Sequence, residues 1–296
     1  MKKVLTFFIF ICLTTVIFSG CSSNRIPAQA ISNSSYSKVI FSINPLKEIA
    51  DEIGNGKMSF NAFVPQGVEI HDYDPKMSDI VALKDYDVFI YNGLDMEPWF
   101  DKVMESSPKK LNQYDLSDGY DVINVNGVLD PHVWMGLTGA IYYGEKIKDI
   151  LVNEYPDDKQ VFETNFQNFK DKCNGLLAKY RDLFSKLDNK NLVTAHAAFN
   201  YLARDFGLSA HASEDIFSSG EPNPKTLSDL VNYCKKNNVK VIFGEEMVSK
   251  EVTDTLAREV GAEVLMIDTL EYEKEGSYLS RMESNLQLIY DALNKN

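Results

Sequence analysis

The chain has 296 residues, 44% of them hydrophobic, with a formal net charge of −13 at pH 7 and only four histidines. So acidic a chain is a poor partner for nucleic acid or for an anionic lipid surface, and modestly favours the attraction of cations. Only two of its four cysteines, Cys173 and Cys234, fall in the expected folded part, and two do not make a disulfide framework.

Met1-Lys2-Lys3, an apolar run from Val4 to Phe18, and Ser19-Gly20-Cys21 have the charged start, short apolar core and small residues of a secretory signal. The run is too short for a spanning helix. Phe18-Ser19-Gly20-Cys21 resembles a bacterial lipobox, with Phe18 where that pattern usually has Leu, so Cys21 is the expected lipidated first residue of the mature chain. Ser22 to Ser37 is rich in Ser, Asn, Ala and Gln without apolar period and reads as a flexible tether. With Cys12 removed and Cys21 lipidated, Cys173 and Cys234 remain, each among apolar neighbours in a helical pattern and read as buried small hydrophobes.

About 260 residues follow the tether, enough for two lobes with their own cores. Val39 to Ile43 reads as a strand, and Leu46, Ile49, Ala50 and Ile53 as a helix ending at Gly54. Met58 to Val64 is a strand, Met77 to Leu83 a helix, Val88 to Tyr91 a strand, and Met96 to Met104 a helix opened by Glu97-Pro98. Leu111 to Leu129 reads as loop. From Phe162, apolar residues recur at Phe166, Phe169, Cys173, Leu176, Tyr180, Leu183 and Leu187, which predicts one long helix over 157–188, about 45 Å at 1.5 Å per residue. The spacing also fits a coiled-coil seam, but it spans under about four heptads and strand-helix alternation resumes at once.

Leu192 to Ala195, Leu208 to His211, Val239 to Phe243 and Glu263 to Ile267 then read as strands, interleaved with helices over Ala198–Phe206, Pro224–Lys236, Lys250–Val260 and Tyr278–Leu293. Such alternation predicts an α/β fold with mostly parallel sheets.

In open parallel sheets ligands gather at the carboxyl ends of strands. His71 lies in the loop after Met58 to Val64, His196 directly follows Leu192 to Ala195, Asp268 directly follows Glu263 to Ile267, and His132 follows the Pro131 turn. Imidazole nitrogen and carboxylate oxygen suit a borderline-soft divalent ion such as zinc, so these four are the expected metal ligands. Two precede the long helix and two follow it, so one ion would tie the halves together. Asp268 has a plainer alternative as a strand end, Trp134 and Tyr73 as packing residues, and Glu245 and Glu246 as either partners of the ligands or surface charge. His211 matches no motif. His-Glu-x-x-His, Gly-x-Ser-x-Gly and Walker-type motifs are missing, which removes support for protease, esterase and nucleotide-hydrolase readings.

Phe63-Val64-Pro65-Gln66-Gly67 through His71-Asp72-Tyr73-Asp74-Pro75, Asp130-Pro131-His132-Val133-Trp134, Val193-Thr194-Ala195-His196 through Phe206-Gly207-Leu208, Glu221-Pro222-Asn223-Pro224-Lys225 and Thr255-Leu256-Ala257-Arg258-Glu259-Val260-Gly261-Ala262 together resemble the zinc/manganese solute-binding lipoproteins of ATP-binding-cassette importers. The resemblance covers nearly all of the mature chain in order. It implies two (β/α) lobes joined by one rigid linker helix, over 38–156, 157–188 and 189–296 behind a signal peptide at 1–20 and a lipidated tether at 21–37. It implies one ion in the inter-lobe cleft on His71, His132, His196 and Asp268. It also implies a lipid-anchored, extracytoplasmic monomer that captures its cargo with high affinity, passes it to a membrane permease and catalyses nothing.

Zinc-specific relatives often carry a His-rich loop before the second ligand, and Leu111 to Leu129 has none. Manganese relatives typically have Glu where His196 stands, and a third imidazole moves the preference from Mn(II) towards Zn(II). The rival readings are a zinc hydrolase, which needs a coordination position open to water, and a receptor for a siderophore, haem or cobalamin, which needs a cleft of aromatics and Arg. On adhesion to surfaces the sequence is silent.

Overall fold

Val39, Ile40 and Phe41 are all buried although successive strand side chains point to opposite faces. Only a parallel sheet covered on both sides accommodates such a run. In the computed structural model, which describes residues 35–217, 224–246 and 248–295, that run ends β1 (Ser35–Phe41), central in a parallel sheet of order β2-β1-β3-β4. Its partners are β2 (Met58–Ala62), β3 (Val88–Tyr91) and β4 (Asn112–Asp115), with Val39 opposite Val88 and Phe41 opposite Ile90. The small antiparallel ribbon β5 (Asn124–Val125) and β6 (Val128–Leu129) follows. The signal segment, Cys21 and nearly all of the tether lie outside the described residues, as do Glu221, Pro222 and Asn223.

The second sheet is also parallel, in order β10-β9-β7-β8, from β7 (Asn191–Thr194), β8 (Ser209–Ala212), β9 (Val241–Gly244) and β10 (Glu263–Met266). In each sheet the chain moves first to one side of its starting strand and then to the other. This creates a switch point between β1 and β3 and another between β7 and β9, where the following loops diverge and leave a crevice.

The helices are α1 (Asn44–Gly54), α2 (Met77–Ala82), α3 (Phe100–Ser106), α4 (Leu137–Glu154), α5 (Lys159–Ser185), α6 (Asn200–Phe206), α7 (Pro224–Lys236), α8 (Lys250–Val260) and α9 (Tyr278–Asn294). The expected long helix is α5, preceded by a 3₁₀ turn at Pro156–Asp158 and therefore shorter at both ends than the periodicity suggested. Its stripe of Phe162, Phe166, Phe169, Cys173, Leu177, Tyr180 and Phe184 is buried. That stripe belongs to a large apolar core that joins the first sheet to α1, α4, α6 and α9, while α7 and α8 pack on the second sheet in a smaller core of their own. Ser34–Asn296 accordingly forms a single compact unit.

Helix α4 and the strands β4, β5 and β6, which lie inside the expected loop, escaped the sequence reading. Strand β4 is the polar edge tetrapeptide Asn-Gln-Tyr-Asp, paired in parallel with β3, and no apolar alternation marks it inside the expected loop. Helix α4 follows the His132 turn and packs where its glycines permit close approach. A Cβ at Gly139 would fall 2.1 Å from the Val133 carbonyl oxygen, and one at Gly144 would meet the Phe169 ring at 3.1 Å. Helix α9, last in sequence, returns to the first half. Its Arg281 pairs with Glu48 of α1, and the Tyr278 hydroxyl donates to the Trp134 carbonyl at 2.5 Å.

Candidate metal centre

The loop after β2 carries His71, the turn after β6 carries His132, and the end of β7 carries His196. The fourth group is Glu271, in the loop after β10. One ligand atom from each lies within 4.8 Å of all the others, and His132, His196 and Glu271 are buried. The Nε2 atoms of His71 and His132 are 3.3 Å apart. Two ligands bonded to zinc at about 2.0–2.1 Å in a tetrahedron are separated by roughly 3.3–3.4 Å, so this pair needs no movement to share an ion.

Each buried ring is oriented from behind. Asp130 Oδ1 accepts from both the backbone N–H (2.9 Å) and Nδ1 (2.8 Å) of His132. Its other oxygen accepts from Asn200 at 2.9 Å. Glu245 plays the same part for His196. Its Oε1 accepts from the N–H groups of Ala195 (3.1 Å) and His196 (3.0 Å), while Oε2 takes Nδ1 in a short contact. This follows from topology: β7 and β9 are neighbours, with Thr194 opposite Phe243, so the residues just beyond them meet at the switch point. With Nδ1–H donated backwards, each ring aims its Nε2 atom into the cleft. The His196 Nε2 and Glu271 Oε1 atoms are buried without a partner. Buried polar atoms left without a partner and facing one space mark it as a place for a ligand.

The N-terminal half has a parallel device at its own switch point. Glu97 accepts from Ser42 after β1 and from the N–H groups of Asn92 and Gly93 after β3. Asn92 in turn donates to the Pro131 carbonyl at 2.9 Å, fixing the turn that presents His132. Two hydrogen bonds span the cleft beside the cluster: the Tyr272 hydroxyl donates to Glu69 (3.2 Å) and the Glu273 N–H to Gln66 (2.6 Å).

Burial, with the neighbouring imidazoles, drives the His71 pKa down to about 2. Burial also lowers that of His132, against the pull of Asp130. His196 is opposed by burial too, but the charge and hydrogen bond of Glu245, with Glu271 and Glu69, outweigh it and raise its pKa to about 9. Burial lifts Glu271 to about 8, with Glu69 and Glu245 adding to the rise and His196 opposing it. Two rings are thus ready as neutral donors at pH 7. The His196–Glu271 side of the cluster retains a proton that a cation displaces.

Asp268, expected as the fourth ligand, is engaged elsewhere. Its carboxylate accepts from Arg281 Nε and Nη2, both at 2.9 Å, and from the Leu270 N–H at 2.9 Å. Although burial opposes it, the Arg281 hydrogen bonds and charge keep its pKa below the usual carboxylate range. Glu271, three residues later, takes the place beside the histidines because Leu270 adopts a left-handed φ of 64° and redirects the chain. In sequence Glu271 sits in the acidic stretch Glu271-Tyr272-Glu273-Lys274-Glu275 and looks like surface. Only its burial, at 5% exposure, distinguishes it. Trp134 and Tyr73 are buried packing residues, as expected. Glu245 proves to be a partner of His196, while Glu246 pairs at the surface with Lys274. Both described cysteines are free and buried.

The family profile described as zinc-uptake complex component A, periplasmic, matches residues 39–292. The chain is 31% identical to the high-affinity zinc uptake system protein ZnuA of Bacillus subtilis, over 94% of each chain. It is 28% identical to the manganese ABC transporter substrate-binding lipoprotein PsaA of Streptococcus pneumoniae over the full length of both. The solved structure of the laminin-binding protein Lmb of Streptococcus agalactiae, described as bifunctional with adhesin and metal-transporting activity, superposes with a TM-score of 0.81 at 28% identity. That match covers 86% of this chain and 98% of that one.

Proposed function

This chain belongs to the zinc-uptake complex component A family, and from that premise we propose that it is the extracytoplasmic receptor of an ATP-binding-cassette importer, with Zn(II) as its cargo. The observation that carries the proposal is the meeting of His71, His132, His196 and Glu271, one atom from each within 4.8 Å of the rest. His71 and His132 come from one half of the molecule and His196 and Glu271 from the other, so cargo and inter-lobe closure are the same event.

Three imidazole nitrogens and one carboxylate oxygen form the donor set that a borderline-soft ion prefers, whereas manganese favours more oxygen. Four protein ligands complete a tetrahedron and leave no position for a reactive water, which suits capture rather than hydrolysis. Asp130 and Glu245 hold the tautomers, and His196 with Glu271 surrenders a proton when the ion enters. Cys21 would anchor the mature chain by lipid, keeping it beside the permease that takes the ion. Single-copy capture needs no second subunit, in keeping with a monomer.

The test is thermal unfolding of the chelated protein with and without zinc, paired with elemental analysis of gently purified material. At a thousandfold excess of free zinc over Kd, mass action adds about 4 kcal/mol, which raises the midpoint by roughly 10 °C for a domain of this size. An unchanged midpoint refutes the site.

A further inference from the structure

Asp268 stands where a strand-end ligand belongs, yet its acceptors are engaged chiefly by α9, with the Leu270 N–H and Lys274 also on its Oδ1. Arg281 forks onto both carboxylate oxygens at 2.9 Å. Asn285 accepts from the Asp268 N–H at 3.1 Å and donates to its carbonyl at 2.6 Å. Arg281 is itself only 5% exposed, and its third arm, Nη1, reaches Glu48 on α1 in the other half. Glu48 is further fixed by Asn44 at 2.8 Å. A guanidinium bound on both sides by carboxylates is a rigid fork, which a flexible ammonium does not reproduce.

The consequence passes to the metal centre through three residues. The Asp268 carboxylate, held still by Arg281, accepts the Leu270 N–H and so stabilises a left-handed leucine, a conformation that L side chains disfavour. Leu270 is fully buried, and the Thr269 carbonyl accepts from Trp134 at 3.2 Å, so the turn is pinned on both sides. Glu271 then emerges facing the three imidazoles. Its Oε2 is occupied by the Thr269 hydroxyl at 3.0 Å, and Oε1 is left without a partner.

We infer that Arg281 sets the metal preference of this site, by withholding the Asp268 carboxylate from the ion and fixing the turn that presents Glu271. The inference rests on the zinc-receptor reading above. Arg281 is a positioning residue: it touches no ligand atom, and acts by limiting the site to one carboxylate. Released, Asp268 offers a second anionic oxygen, and a donor set richer in hard oxygen gains affinity for manganese relative to zinc.

The experiment compares zinc and manganese affinities by competition titration for the wild-type chain, Arg281→Met, Arg281→Lys and the double variant Arg281→Met/Asp268→Asn. The visible spectrum of the cobalt-loaded proteins serves as a second readout. Zinc binding by the wild-type chain is measured first, because its failure refutes the receptor reading itself. Arg281→Met is expected to lower the zinc-to-manganese affinity ratio by roughly tenfold or more, the scale on which groups behind metal ligands act. It is also expected to weaken the intense cobalt bands of a four-coordinate site. Arg281→Lys keeps the charge and protects folding but loses the fork, and is expected to shift the ratio in the same direction. Adding Asp268→Asn should return the ratio towards wild type, which a purely structural defect would not do. A ratio unchanged in folded Arg281→Lys, or a shift that persists in the double variant, overturns the inference.

Discussion

Replacing Glu245 by Gln is the sharpest probe of how the buried imidazoles are prepared. The substitution keeps the volume and an oxygen able to accept from the Ala195 and His196 N–H groups, now at 3.1 and 3.0 Å. It sets an NH2 group against His196 Nδ1, where a carboxylate oxygen stood. Facing a donor, Nδ1 must become the acceptor, which moves the ring proton to Nε2 and blocks the lone pair meant for the cation. The loss of one hydrogen bond to a charged group is worth about 1.5–3 kcal/mol. Partners of metal-bound imidazoles cost about 10–100-fold in affinity when removed, or about 1.4–2.7 kcal/mol, so two independent routes give the same range. The assay is competition against a chromophoric zinc chelator at pH 7.5, with circular dichroism to confirm folding. A zinc affinity within about twofold of wild type would refute the claim that Glu245 selects the tautomer, since the expected floor is about tenfold.

Zinc affinity should rise with pH between 6 and 9, because His196 and Glu271 hold protons up to about 9 and about 8 respectively; calorimetry in buffers of different ionisation enthalpy should register proton release on binding. For the metal-free protein the sign is opposite. The raised His196 pKa contributes stability fully present below 6.5 that disappears as pH rises through about 9, so chelated protein should melt earlier at pH 9 than at pH 6.5, whereas zinc-loaded protein should show little of this fall. Gly139→Ala forces a Cβ to 2.1 Å from the Val133 carbonyl oxygen. Shifting the turn that follows His132 should cost about 1–3 kcal/mol, visible as a lower melting temperature together with weaker zinc binding. Cys173 and Cys234 are buried with thiol pKa values pushed up by burial, that of Cys234 to about 11. Neither should react with a disulfide reagent at pH 8 until the protein is unfolded, and rapid native labelling would contradict the packing described.

Strand-helix alternation, parallel sheets and the three histidines that cluster in the cleft were all legible from local pattern. Strands of a parallel sheet are buried on both faces and show as short apolar runs. Metal-ligating imidazoles stand out when a chain of this length has four histidines and three of them follow strand ends or turns. The long helix was equally plain from its apolar period, although the stripe it buries takes Leu177 and Phe184 where the spacing pointed to Leu176 and Leu183.

Two elements depended on neighbours that sequence periodicity does not report. Strand β4 exists because β3 offers it an edge, and α4 could pack only once Gly139 and Gly144 met Val133 and Phe169. Which acid joins the three histidines was decided at longer range still. Asp268 and Glu271 are both acids just past β10, and local pattern favours Asp268, which directly follows the strand, over Glu271 in its acidic stretch. Tertiary structure chose between them by bringing Arg281 of α9 and Glu48 of α1 together across 233 positions. A carboxylate already paired with a buried guanidinium is electrostatically satisfied, and the one left bare among imidazoles is the one that needs a cation.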